Sequence, residues 1–264
     1  MDYDIHNLTE VANALADAAR AAILPHFRAH GLMADNKLSE GYDPVTIADR
    51  VAEEAMRAVL ADRRPNDAIL GEEFGAHPGT TGLTWVLDPI DGTRGFVAGT
   101  PTWGVLIAVG PENGPVLGII DQPYIGERFT GADGVATLSG PQGVQTITTR
   151  APRALDKAIL FTTFPEVGSA ADRAWFEAVA KHVQLVRYGM DCYAYALVAA
   201  GQVDLVIEAG LNSYDIQAPI ALIEAAGGVV TDWQGNAAHD GGRVVAAANA
   251  EIHKEALEIL KAFQ

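Results

Sequence analysis

One stretch constrains this chain more than any other: Trp85-Val86-Leu87-Asp88-Pro89-Ile90-Asp91-Gly92-Thr93. An apolar run with the character of a buried strand ends in two aspartates, a glycine and a threonine. Two carboxylates at a strand end, where the chain turns, converge on one point outside the sheet, and hard cations such as Mg²⁺ take oxygen ligands of this kind. Gly92 permits the turn and leaves backbone N–H groups free to face a phosphate. A simple acidic turn between strands accounts for Asp91-Gly92 but for neither Asp88 nor Thr93.

Charge points the same way. The chain carries 18 basic and 34 acidic residues, a formal charge of −16. Such a field repels nucleic acid and anionic membranes, so neither is an expected partner. It also repels a phosphate substrate, unless divalent cations held by the chain's own carboxylates reverse the local field. No run of about 18 apolar residues suggests a membrane span. The first residues, Met1-Asp2-Tyr3-Asp4, lack the basic and apolar regions of a signal peptide. A lone cysteine, Cys192, excludes an intrachain disulfide and fits a reducing compartment, so a cytoplasmic location is expected.

Further acids recur at element ends. Gly71-Glu72-Glu73 follows the apolar run Ala68-Ile69-Leu70, and Asp49 falls in the first turns of a helix after Asp43-Pro44-Val45-Thr46. Asp215 opens a helix that buries Ile216, Ile220 and Ile223. Each has an ordinary reading beside the functional one: a solvated strand end for Glu72-Glu73, a cap or helix-dipole partner for Asp49 and Asp215. Glycine-rich dinucleotide loops, phosphate loops ending in Gly-Lys-Ser/Thr and zinc spacings are absent. Phosphatases with an aspartyl nucleophile in Asp-x-Asp-Gly-Thr keep one residue between the aspartates. Here Pro89 and Ile90 separate them a third of the way along the chain, which disfavours a phosphoenzyme.

Periodicity predicts helices from about Leu8 to Phe27 and from Asp43 or Thr46 to Leu60. Strands follow at Ala68–Leu70, Trp85–Leu87, Val105–Val109 and Val116–Ile120, the last two flanking a hairpin turn at Gly110–Pro115. After about Arg150 the pattern alternates. Strands are expected at Ile159–Phe161, Leu185–Val186, Val203–Ile207 and Val244–Ala247. Helices are expected at Ala170–His182, Cys192–Ala200, Ile216–Ala226 and from Glu251. The expected organisation is an α+β lobe over residues 1–150 carrying most of the metal ligands, and an α/β lobe over 151–264 selecting the substrate.

In order and spacing, Asp43-Pro-Val-Thr-Ile-Ala-Asp49, Gly71-Glu-Glu73, Trp85 to Thr93, Tyr214-Asp215 and Glu224-Ala-Ala-Gly-Gly228 resemble the inositol monophosphatase family over nearly the whole chain. The resemblance implies a layered αβαβα sandwich, usually a homodimer, with up to three Mg²⁺ ions, inhibition by Li⁺, and direct attack of water on a small phosphate ester. It implies Glu72, Asp88, the Ile90 carbonyl, Asp91 and Asp215 as metal ligands, with Glu73 and Asp49 as supporting acids. Thr93, paired with Asp49, matches the hydroxyl that orients the attacking water, and Glu72 belongs with them in the catalytic set. The amides of Gly92 and Thr93 match the phosphate cradle. Arg94-Gly95-Phe96 departs from the Lys-Asn-Phe of many members.

The string Arg187-Tyr-Gly189-Met-Asp191-Cys-Tyr193 resembles the family's histidinol-phosphate phosphatases, as do Val203 to Leu211 and Thr231 to Gly235. Histidinol phosphate carries an ammonium and an imidazole that can become cationic. Asp191, with Glu208 nearby, would bind them, and Arg187 and Gly189 are expected beside it; a helix cap is the other reading of Asp191. An inositol or broader sugar- or nucleotide-phosphate phosphatase is the alternative enzyme, and a catalytically silent metal-binding regulator the alternative of another class.

Overall fold

A computed structural model of the chain describes residues 3–31, 33–36 and 44–262. The chain opens with α1 (Ile5–Ile23), the short strands β1 (Ala34–Asn36) and β2 (Pro44–Thr46), and α2 (Ile47–Arg63). Then come β3 (Ala68–Gly71), β4 (Gly75–His77), β5 (Thr84–Asp91), α3 (Thr93–Ala98), β6 (Gly104–Gly110) and β7 (Leu117–Gln122). A meander of β8 (Glu127–Ala132), β9 (Val135–Gly140) and β10 (Gly143–Ile147) follows. The remainder runs β11 (Ile159–Thr162), α4 (Ala170–Ala180), β12 (Leu185–Tyr188), α5 (Asp191–Ala199), β13 (Leu205–Leu211), α6 (Ser213–Ala225), β14 (Val229–Asp232), β15 (Gly242–Ala247) and α7 (Ala250–Lys261).

Eight strands form one sheet in the order β10-β9-β8-β7-β6-β5-β3-β4, and five form a second in the order β12-β11-β13-β15-β14. Alternation along the strands sorts side chains into three cores. Val105, Ile107 and Val109 of β6 join Trp85 and Leu87 of β5 against α1 and α2, whereas Leu106, Ala108 and Val86 face α5 and α6. Across the second sheet, Val206, Val244 and Ala246 face that same middle layer, while Leu205, Ile207, Val245 and Ala247 face α4 and α7. A period of two with both faces apolar is what a sheet covered on both sides requires. The layers are therefore helix, sheet, helix, sheet, helix, as the family resemblance implies.

Element ends follow local chemistry. Helix α1 begins three residues earlier than expected because Asp4 Oδ1 accepts the N–H groups of His6 and Asn7 at 3.0 and 3.2 Å. It stops at Ile23 rather than Phe27: Leu24 N–H still bonds the Arg20 carbonyl at 3.1 Å, but Pro25 has no N–H to carry the ladder on. Thr46 caps α2, its hydroxyl accepting Ala48 N–H at 3.1 Å, so the Thr46 alternative holds; Asp43 lies outside the described residues. The strands β8, β9 and β10, where the sequence offers no strong apolar run, are a correction to the predicted elements. They are positioned by the ladder from β7 and by a two-residue turn in which Asp133 (φ 48) and Gly134 (φ 70) are both left-handed.

Helix α6 lies in the middle layer, its backbone pressed against the eight-stranded sheet at two glycines. A Cβ on Gly118 would stand 2.3 Å from the Ala218 carbonyl oxygen, and one on Gly131 would stand 2.4 Å from Leu222 Cα. Because backbone atoms cannot swing aside, Gly118→Ala is expected to destabilise the fold by about 1–3 kcal/mol, read from the midpoint of urea unfolding.

Candidate active site

The site begins with a pair of parallel strands. Gly71 of β3 is level with Leu87 of β5, and Glu72 N–H donates to the Leu87 carbonyl at 3.1 Å. Parallel pairing thus sets Glu72 beside Asp88 at the same end of the sheet. Past Asp88 the register with β6 slips, and pairing resumes only at Asp91. Pro89, which has no N–H to give a ladder, sits in this bulge. Ile90 N–H turns back to Asp88 Oδ1 at 3.0 Å. The bulge brings Asp91 out beside Asp88, where its Oδ2 accepts Cys192 N–H from the start of α5 at 2.6 Å.

Asp215 reaches the same point from α6. It is not the cap: Asn212 holds that position, and Asp215 is its capping-box partner, accepting Asn212 N–H at 2.6 Å. The second oxygen remains for the cavity. Carboxylate oxygens of Asp88, Asp91 and Asp215 lie within 4.8 Å of one another. Burial, then the neighbouring charges of Glu72, Asp91 and Asp215, push the Asp88 acid well up. Burial and the charges of Asp191 and Asp215 do the same to Asp91. Asp215 is pushed up to about 7, chiefly by burial and then by Glu72 and Glu208, against the opposing Asn212 amide. A cluster of hard carboxylate oxygens that destabilise one another's charge is the donor set a hard divalent cation fits.

Glu72 is held in place by a residue that the sequence reading passed over. Glu53 of α2 is fully buried, and its carboxylate accepts Glu73 N–H at 2.7 Å and Phe74 N–H at 3.2 Å while pairing with Arg57 Nε at 2.8 Å. A Cβ on Gly71 would fall 1.9 Å from Glu53 Oε1, so the glycine before Glu72 makes room for this clamp. The signal was present: Glu53 stands four residues after Asp49, on the same helix face.

Gly92 adopts φ 83, and α3 starts at Thr93. The Thr93 hydroxyl lies 3.0 Å from the Ile90 carbonyl and 3.5 Å from Asp49 Oδ1. The other oxygen of Asp49 accepts the N–H and hydroxyl of Thr46 at 2.8 and 2.7 Å, so Asp49 is both a capping residue and a neighbour of Thr93. Its acid is raised by burial, against the Thr46 hydrogen bonds.

Glu72, Asp88, Ile90, Asp91, Thr93 and Asp215 line a cavity of about 300 Å³ whose opposite wall comes from β11, β13 and α5. Asp191 is on that wall in a left-handed conformation (φ 46) and is the first residue of α5; Met190 holds the cap position, so the cap reading of Asp191 is overturned. A Cβ on Gly92 would come within 2.8 Å of the Asp191 side chain, so glycine there admits the close approach. Burial and then Glu208 raise the Asp191 acid to about 6, against the hydroxyl of Thr102 and the charge of Arg94. Glu208 is buried and accepts Thr163 N–H at 2.9 Å and Tyr195 O–H at 2.8 Å. Arg187 and Gly189 do not join this wall: both are exposed, Arg187 on the edge strand β12 and Gly189 just beyond it. Phe164, Thr163 and Tyr195, which the sequence did not single out, stand in the wall, and Arg94 Cζ lies 4.6 Å from the Phe164 ring centre.

Residues 4–264 match the model of the inositol monophosphatase family. The chain is 42% identical over 272 aligned positions to the bifunctional phosphatase IMPL2, chloroplastic, of Arabidopsis thaliana, covering 98% of this chain and 77% of that one. It is 35% identical to a histidinol-phosphatase of Mycobacterium tuberculosis, covering 97% and 99% of the two chains. A solved structure of an inositol monophosphatase from Zymomonas mobilis superposes with a TM-score of 0.87 at 39% identity, covering 98% of this chain and all of that one. Among the described residues no helix is long and apolar enough to cross a membrane. With its fold, its acidic cavity and its sequence in agreement over nearly the full length, the chain belongs to the inositol monophosphatase family, whose members are phosphatases of small phosphorylated substrates.

Proposed function

We propose that this chain is a Mg²⁺-dependent phosphatase that hydrolyses L-histidinol phosphate to L-histidinol and phosphate, by direct attack of water. The observation that carries the reading is one cavity with two chemistries: the convergent acids Asp88, Asp91 and Asp215 on one side and the half-buried carboxylate of Asp191 on the other. In this reading Glu72, Asp88, the Ile90 carbonyl, Asp91 and Asp215 hold the metal. Bound Mg²⁺ would neutralise phosphoryl oxygens, acidify water and stabilise the leaving alkoxide.

The chain's own groups do the rest. Gly92 and Thr93 present backbone N–H groups to the phosphate, and the Thr93 hydroxyl, between Ile90 and Asp49, orients the attacking water in line with the leaving oxygen. Asp191 receives the cationic end of the substrate, an arrangement that relieves the cost of its burial beside Glu208. Glu208, engaged by Thr163 and Tyr195, holds the wall's shape and adds negative field. Residues 1–150 then carry most of the metal ligands and residues 151–264 the substrate-selecting residues, and a cytoplasmic homodimer completes the proposal. Likeness to the Zymomonas inositol monophosphatase supports the second reading, a phosphatase of inositol phosphate.

The test is the ratio of kcat/KM for L-histidinol phosphate to that for inositol 1-phosphate. The proposal expects the first to be preferred; a preference for the second establishes the alternative. Exhaustive chelation is expected to abolish turnover, Mg²⁺ to restore it, and Asp88→Asn to remove about 99% or more of it while the fold, read by circular dichroism, stays intact. Asp191→Asn is expected to lower the substrate ratio about ten- to a hundredfold, the scale of one charge-assisted hydrogen bond. An equal loss on both substrates would make Asp191 a general support of the site.

A further inference from the structure

The contact between Arg94 and Phe164 bridges the cavity. Arg94 follows Thr93 on α3, beside the eight-stranded sheet; Phe164 lies in the turn after β11, in the five-stranded one. The guanidinium carbon stands 4.6 Å from the ring centre, and the ring is 42% exposed. The same guanidinium acts on Asp191, which lines the cavity with both residues. A phenyl face and a carboxylate thus share one cavity with a planar, delocalised cation that lies over the ring. Both partners attract such a cation, the ring through its quadrupole and the carboxylate through its charge.

Resting on the histidinol-phosphate reading, we propose that Phe164 and Asp191 form the subsite for the aromatic cation of the substrate, and that Arg94 is its built-in occupant, displaced when substrate binds. An imidazolium and a guanidinium share the features this subsite reads: planarity, and charge spread over an N–C–N unit whose N–H donors lie in the plane. A substrate that brings its own planar cation replaces Arg94 without leaving either Phe164 or Asp191 unpartnered. A neutral polyol phosphate has no group that can make the exchange and binds beside Arg94. Selection becomes a difference between two cations competing for one seat, which is a device for discrimination rather than for raw affinity.

Two variants and two readouts test this. Phe164→Leu keeps apolar bulk and removes the ring face; Arg94→Met keeps the stem and removes the occupant. The readouts are the kcat/KM ratio of L-histidinol phosphate to inositol 1-phosphate, and the Ki of L-histidinol, which carries the cation without the phosphate, against whichever ester the enzyme hydrolyses. Phe164→Leu is expected to lower the ratio and raise the Ki, each by about three- to tenfold, the scale of a cation–π contact. Arg94→Met is expected to lower the Ki. An unchanged ratio and Ki in Phe164→Leu would overturn the platform while leaving the substrate reading intact. A rise in KM for both esters in Arg94→Met, with no fall in Ki, would make Arg94 a phosphate ligand and overturn its role as occupant. A wild-type enzyme with no preference for L-histidinol phosphate would sink the substrate reading instead, and the Ki comparison alone would then decide the platform. Thermal melts of both variants separate these effects from misfolding.

Discussion

Repulsion among carboxylates removed from water is the interaction around which the molecule is organised. Asp88 is almost fully buried, and its acid is raised by burial and by Glu72, Asp91 and Asp215. Left bare, such a cluster opposes folding, because each charge raises the cost of the next. It persists because its members are fixed by three rigid elements: Glu72 by the end of β3, Asp88 and Asp91 by the two sides of a bulge in β5, and Asp215 by the first turn of α6. No local rearrangement of one segment can separate them. A hard divalent cation turns the same repulsion into attraction.

The surrounding structure reads as support for that arrangement. Glu53 spends its carboxylate on the Glu73 and Phe74 amides, so the turn carrying Glu72 is tied to α2 rather than to solvent. Cys192 N–H ties Asp91 to the start of α5, which makes the side of the convergent acids and the Asp191 side of the cavity one hydrogen-bonded unit. Glycines at 71 and 92 give up side chains where a carboxylate must pass close to the backbone, Glu53 in one case and Asp191 in the other. Close approach, rather than flexibility, explains both positions.

Much of this was legible in the sequence. The Trp85–Thr93 run announced a strand ending in converging acids because its apolar residues alternate between two cores and its acids follow at once. The helices and most strands of the second half were legible for the same reason. What was not legible depends on partners distant in the chain. The meander from β8 to β10 has little apolar patterning of its own and forms on the ladder of β7. Asp191 was singled out by its motif with a helix cap as its other reading, and its left-handed backbone and its position against Gly92 decide for the cavity. Arg187 and Gly189 shared a motif with Asp191, yet the edge strand carries them away from it. Phe164 carried no local signal at all, since its meaning comes from Arg94, seventy residues earlier in the chain.

The central claim is that the convergent acids await a divalent cation, and the most direct measurement is the melting temperature of metal-free protein during a Mg²⁺ titration. A ligand bound by the folded chain alone stabilises it in proportion to the logarithm of its concentration above Kd. The expected result is a Tm that climbs by several degrees and keeps rising with Mg²⁺ in the wild type, and that scarcely moves in Asp91→Asn. A wild-type Tm indifferent to Mg²⁺, in protein that still hydrolyses phosphate esters after chelation, would contradict the account.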